Sequence, residues 1–238
     1  MLSINNLSVQ ADEKTIIHTV SYDFAPGKIY AIMGVNGSGK STLAKTIMGD
    51  PSLRVLSGDI TLDQKNITSL PPQERAHLGI FLAPQSPLAI PGVTVQQLLR
   101  TAIPRDTQDS ATLLKRITDV AQDLDMKKEL LSRSLNENFS GGERKKMEML
   151  QAAILDPRYI ILDEIDTGVD VDALATIATF IKKMKTNDPQ KTFIIITHYN
   201  RILSQLPVDE VLIMHNGTIT EHGDAALAEK IEKDGYKK

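Results

Sequence analysis

Residues 34 to 42 read Gly-Val-Asn-Gly-Ser-Gly-Lys-Ser-Thr, directly after the apolar run Ile29 to Met33 and directly before a helical pattern. Successive backbone N–H groups converge on an anion only where no side chain intervenes, so Gly37 and Gly39 are expected to supply the turn and the close approach. Lys40 offers a compact positive charge for the β and γ phosphates and Ser41 a hydroxyl for Mg²⁺. The free N–H groups of the following helix complete an anion site. A G-x-x-x-x-G-K-[ST] pattern between a strand and a helix is a phosphate-binding loop. It predicts an α/β fold in which Gly34, Val35, Asn36, Gly37, Ser38, Gly39, Lys40, Ser41 and Thr42 hold a nucleotide.

Composition narrows the remaining classes. At 238 residues, with 41% hydrophobic and 24% charged content, the chain can bury about 70% of its unfolded surface in one core with a smaller lobe attached. The formal charge is −3 with both signs interspersed, so the basic stripe of a nucleic-acid binder is missing and no nucleic-acid partner is expected. Apolar runs such as Ile160 to Leu162 and Ile194 to Ile196 fall far short of the roughly 20 residues that span a bilayer, so no direct membrane insertion is expected. The start, Met1-Leu2-Ser3-Ile4-Asn5, shows no basic flank or apolar h-region, and a cytoplasmic location is expected. There is no cysteine, which excludes disulfides, thiolate metal sites and any iron–sulfur cluster ligated by cysteines of this chain.

Three further apolar, β-branched runs resemble the one before Gly34, and each leads to a polar residue useful near phosphate. Gly79 to Ala83 leads to Gln85, Tyr159 to Leu162 to Asp163 and Glu164, and Phe193 to Thr197 to His198. Buried parallel strands read this way. Ligands of open α/β sheets sit beyond the carboxyl ends of the strands, so these tails converge on the nucleotide if the strands are neighbours.

Between the second and third runs the periodicity turns helical. Val95, Leu98, Leu99 and Ala102 fit one face after Thr94, and Leu113, Leu114, Ile117, Val120, Ala121 and Leu124 fit another. A third helix starts at Ser140, where a serine three residues before Glu143 makes a capping box. Met147, Leu150 and Ile154 mark its buried face, and Asp156-Pro157 ends it. The expected division is a nucleotide-binding α/β core at 1–84 and 156–238, with a helical subdomain at 85–155 inserted into a single domain. Near the carboxyl end, Asn216-Gly217 separates Val211 to Met214 from Thr218 to Thr220, a hairpin signal.

In order and spacing, Gly34 to Thr42, Gln85, Phe139-Ser140-Gly141-Gly142-Glu143, Asp163-Glu164, Asp166 to Asp170 and His198 resemble the motifs of the ATP-binding-cassette (ABC) ATPases, over nearly the whole chain. The resemblance implies a P-loop core with a mainly parallel sheet, an amino-terminal antiparallel β region and the inserted helical subdomain. It implies ATP and Mg²⁺ as ligands and a head-to-tail homodimer in which Ser140, Gly141 and Gly142 of one subunit face the γ-phosphate held by Lys40 of the other. Ser41 and Gln85 would then bind the metal directly and Asp163 through water, Glu164 would be the general base, His198 would position the attacking water, and Asp170 would lie in the dimer-crossing loop. The position at which many cassettes carry an adenine-stacking aromatic falls near Ala11 here, so that element of the resemblance is missing.

Less universal residues point to one branch. Pro87-Leu88-Ala89-Ile90-Pro91-Gly92-Val93, Glu143-Arg144-Lys145-Lys146, Asp163 to Leu174, Thr197 to Leu203 and Asp234-Gly235-Tyr236 look like the SufC family of soluble cassette ATPases in iron–sulfur cluster assembly. That likeness implies scaffold partners of the SufB and SufD type, whose conformation ATP would drive. A nucleotide-binding subunit of an ABC membrane transporter is the alternative, since the cassette core is common to both.

Overall fold

The computed structural model describes residues 1–103 and 109–236. Two long strands, β1 (Leu2–Ala11) and β2 (Lys14–Phe24), pair antiparallel, and β3 (Ile29–Met33) then leads through the phosphate loop into α1 (Lys40–Met48). β4 (Arg54–Leu62) returns along β1 and turns into β5 (Lys65–Asn66), giving an amino-terminal antiparallel sheet of order β2-β1-β4-β5. α2 (Pro72–His77) and β6 (Ile80–Ala83) follow. Next come β7 (Ile90–Thr94), α3 (Val95–Ala102), α4 (Ser110–Asp123), β8 (Ser134–Leu135) and α5 (Gly141–Leu155). The chain then forms β9 (Tyr159–Asp163), α6 (Val171–Asn187), β10 (Thr192–Ile196), the hairpin β11 (Glu210–His215) and β12 (Thr218–Gly223), and α7 (Ala225–Asp234).

The main sheet has the order β12-β11-β3-β10-β9-β6, parallel except for β12. The four apolar runs are therefore adjacent strands, which meets the condition for their polar tails to converge. Period-two alternation sends their side chains to two apolar layers. Ile29, Ala31, Met33, Ile160, Leu162, Phe193 and Ile195 pack with α3 to α6. Tyr30, Ile32, Tyr159, Ile161, Ile194 and Ile196 pack with α1 and the amino-terminal sheet. Burial on both faces, at about 1.5–3 kcal/mol for each fully buried large apolar side chain, is why these strands carry unbroken apolar runs.

The helices follow their caps. Thr94 and Gln97 close the start of α3 with a reciprocal capping box, and Asp109 accepts from Ala111 and Thr112 at the start of α4. Leu113, Ile117, Ala121 and Leu124 of the expected α4 face are buried, whereas Leu114 is exposed, about 100° around the helix from its neighbour. α5 is less one-sided than its sequence predicts. Besides Met147, Leu150 and Ile154 it buries Lys145, Lys146 and Glu148, because α3, α4, α6 and β6 surround it. The small β7–β8 pairing was not expected either. Among the described residues no helix is long and apolar enough to cross a membrane.

Candidate functional site

α1 opens on Gly39, whose φ of 103° is left-handed, and no side chain caps the helix. Its first-turn N–H groups are left to an anion. A Cβ on Gly39 would stand 2.9 Å from Ile17 Cδ1, and one on Gly34 would stand 2.2 Å from the Met214 carbonyl. Gly37 has a φ of 78°, which needs glycine for the turn, and a Cβ there would meet no protein atom within 4 Å. Lys40 is 4% exposed and donates to the carbonyls of Gly34 at 2.7 Å and Val35 at 3.0 Å. Burial lowers its pKa, opposed by the carboxylates of Glu164 and Asp163.

A cavity of about 420 Å³ opens over this loop, with Lys40, Ser41, Thr42, Gln85 and Glu164 in its lining. Ile16 of β2 forms part of its wall, a residue that sequence reasoning missed because it lies in a strand without a motif. Ala11 is at the end of β1, paired with Lys14, and does not line the cavity.

The strand tails meet beside Gln85 and Glu164 of the cavity lining. Ser41 Oγ donates to Asp163 Oδ1 at 3.0 Å, and burial raises the pKa of Asp163 while that hydrogen bond opposes the rise. Glu164 turns out of β9 with a φ of 49°, and its N–H donates to the Ile196 carbonyl at 2.9 Å. This places its carboxylate between two neighbouring strand tails. Gln85 Nε2 donates to Glu164 Oε2 at 2.5 Å, and Thr167 Oγ1 donates to the same oxygen at 3.2 Å. His198 Nδ1 lies 3.7 Å from Glu164 Oε1 and is buried without a hydrogen-bond partner. Lys40, Ser41, Gln85, Asp163, Glu164 and His198 thus come together in one subunit. Ser41, Asp163 and the amide of Gln85 are hard oxygen donors of the kind Mg²⁺ takes alongside nucleotide phosphates and water. Among the described residues no cluster of three or more acidic or histidine side chains could hold a metal alone.

Ser140, Gly141, Gly142 and Asp170 lie apart from this cavity, where α5 and α6 begin side by side. Ser140 Oγ accepts from Glu143 N at 3.2 Å while Ser140 N donates to Glu143 Oε2 at 2.8 Å. A Cβ on Gly141 would stand 2.1 Å from the Gly168 carbonyl, so the two segments touch backbone to backbone. Asp170 Oδ1 accepts from Ala173 N at 2.8 Å and caps α6. One side chain links the two regions: Lys145 Nζ, on α5, donates to the carbonyls of Pro84 at 2.9 Å and Gln85 at 3.1 Å. It also pairs with the buried Glu148 at 3.2 Å, whose pKa burial pushes up to about 7.

The model of the family described as ABC transporter matches residues 17–167. With this fold and loop, the chain belongs to the ABC family and is an ABC ATPase that binds ATP. Within that class it closely resembles SufC. It is 40% identical to the probable ATP-dependent transporter SufC of Escherichia coli (strain K12), over 99% of this chain and 97% of that protein. It is 42% identical to the probable ATP-dependent transporter ycf16 of Antithamnion sp., over 99% and 96%. Identity to a probable ABC transporter ATP-binding protein of Streptococcus pyogenes serotype M18 is 44%, over 99% and 93%. Among solved structures, a nucleotide-free ATP-binding cassette from an ABC transporter superposes with a TM-score of 0.78 at 26% identity, covering 98% of this chain and 94% of that one. A dimeric bacterial ABC transporter cassette does so at 0.82 and 19%, covering 94% and 99%.

Proposed function

We infer that this ATPase drives conformational change in a scaffold of the SufB and SufD type during iron–sulfur cluster assembly. The observation that carries the reading is the near end-to-end likeness to E. coli SufC. The absence of cysteine agrees with a motor whose cluster chemistry lies on another subunit.

In this reading the open start of α1 and Lys40 bind the triphosphate. Ser41 and Gln85 would hold Mg²⁺ directly, and Asp163 would hold it through water. The metal, when bound, neutralises charge on the β and γ phosphates. Glu164 Oε1, on the side of its carboxylate that faces His198, takes the proton of the attacking water as its oxygen bonds to the γ-phosphorus and the bond to the ADP oxygen breaks. His198 holds that water and the γ-phosphate. Ser140, Gly141 and Gly142 act on the nucleotide of a second copy, a role supported by their distance from the cavity of their own chain and by the dimeric cassette that shares this fold. Asp170 lies where the two copies would cross.

E164Q tests the chemistry: ATP binding is retained and phosphate release falls at least about 100-fold, and phosphate release at the wild-type rate defeats the base. Detergent-free affinity purification tests the biology. Recovery of cysteine-bearing scaffold subunits, identified by mass spectrometry, supports the assembly role. Recovery only of a membrane-spanning partner, and only in detergent, supports the transporter subunit, the reading favoured by the name of the streptococcal relatives.

A further inference from the structure

We propose that Asp166 is a positioning residue for hydrolysis: through the hydroxyl of Thr197 it ties the loop that carries Glu164 to the loop that carries His198. The proposal rests on the reading of those two residues as the hydrolytic pair. Asp166 follows Glu164 by two positions and Thr197 immediately precedes His198, so the tie falls beside both. Asp166 is 2% exposed and Thr197 is fully buried. Thr197 Oγ1 donates to Asp166 Oδ2 at 2.8 Å and accepts from Tyr199 N at 3.0 Å. The Tyr199 carbonyl is also within 3.2 Å, but a hydroxyl has one proton, and the closer, ionisable acceptor takes it. One hydroxyl therefore fixes the backbone on both sides of His198 and anchors it to the other loop.

His198 needs such an anchor. Its Nδ1 has no hydrogen-bond partner, and Glu164 Oε1 at 3.7 Å is beyond hydrogen-bond length. The imidazole leans on the Tyr199 ring, with centroids 3.8 Å apart, and Thr197 Oγ1 holds the Tyr199 backbone N–H. The parallel ladder gives out here: Thr197 N still donates to the Ile32 carbonyl at 3.2 Å, and the next residue is His198. Thr197 is the last fixed point before the histidine.

Asp166 is also an expensive choice for packing alone. Its Oδ1 is buried without a hydrogen-bond partner, and burial raises its pKa. A buried carboxylate with an unsatisfied oxygen lowers stability relative to a well-packed apolar residue, and such groups persist where function needs them.

The test compares D166A, D166N, T197V and T197S in the full-length chain by steady-state ATP hydrolysis, ATP dissociation constant and thermal midpoint, with E164Q in parallel. D166A and T197V lower kcat about 10- to 100-fold, the loss expected from a small misplacement of a catalytic group. ATP affinity stays within about twofold, because neither residue lines the cavity. The D166A/T197V double variant is no slower than the worse single, since both cut one tie. T197S keeps the hydroxyl and restores kcat, and D166N, whose amide oxygen still accepts from Thr197, retains most of it. T197V is near-isosteric and carries the same test if D166A does not fold. Wild-type kcat in T197V with a lowered thermal midpoint, or multiplicative losses in the double variant, overturns the tie and leaves Glu164 as base. Wild-type hydrolysis in E164Q overturns the base assignment and the tie with it.

Discussion

α1 and α5 both begin at glycine-rich turns, yet one amino terminus is open and the other closed. Gly39 leaves the start of α1 without a side-chain cap, and the cavity lies directly over it. At α5, Ser140 and Glu143 satisfy each other's backbone N–H groups. Each helix also buries a lysine that grips two consecutive carbonyls: Lys40 holds Gly34 and Val35, and Lys145 holds Pro84 and Gln85. They differ in company. Lys145 has the adjacent carboxylate of Glu148, whereas among the described residues Lys40 bonds to no carboxylate. The contrast separates a binding end, with donors and charge left for a ligand, from an end built first for its own rigidity. Ser140 Oγ accepts from Glu143 and so keeps its own proton, and the N–H groups of Gly141 and Gly142 take no part in the box, so this end offers one hydroxyl hydrogen beside two amides.

The contrast breaks most sharply at Lys40. K40A removes the one charge that the open end contributes, and ATP affinity falls at least about 100-fold by titration with a fluorescent nucleotide; retained affinity would show that the amides alone suffice. E148Q probes the other lysine. The folded-state pKa of Glu148, about 7, lies above its unfolded value, so the folded chain binds the extra proton and stability falls as pH rises from roughly 4.5 to 7. The Gln variant loses that slope, and its melts between pH 5 and 7.5 fall less than those of the wild type, by a difference of roughly 1–3 kcal/mol; parallel pH profiles would refute the buried carboxylate. The smallest effect belongs to S140A. Losing the α5 cap costs about 1 kcal/mol in denaturant unfolding while ATP affinity of the single chain holds, and on the proposed trans role of Ser140 hydrolysis would also drop; a drop in single-chain affinity would place Ser140 in its own cavity.

What the sequence revealed tracks locality. The phosphate loop, the four inner strands and the Ser140–Glu143 cap are written in consecutive residues or in a fixed short period, and each was legible. Gln85, Glu164 and His198 were legible because each follows an apolar run, so strand adjacency alone brings them together. The β7–β8 pair escaped because Pro91 and Gly92 interrupt one strand and the other has two residues. The burial of Lys145 and Glu148 escaped because charged side chains normally mark a solvated face, and only the packing of α3, α4, α6 and β6 around α5 removes the water. Asp166 meets Thr197 across 31 positions, a pairing no local pattern records.

Gly141 and Gly168 meet so closely that not even a methyl group fits between them. The head of α5 and the loop that issues from β9 are accordingly a single mechanical part, a cog with no play. On the reading of Glu164 as the base, a second copy that presses on one would shift the other four residues from Glu164, and water activation would then follow subunit engagement.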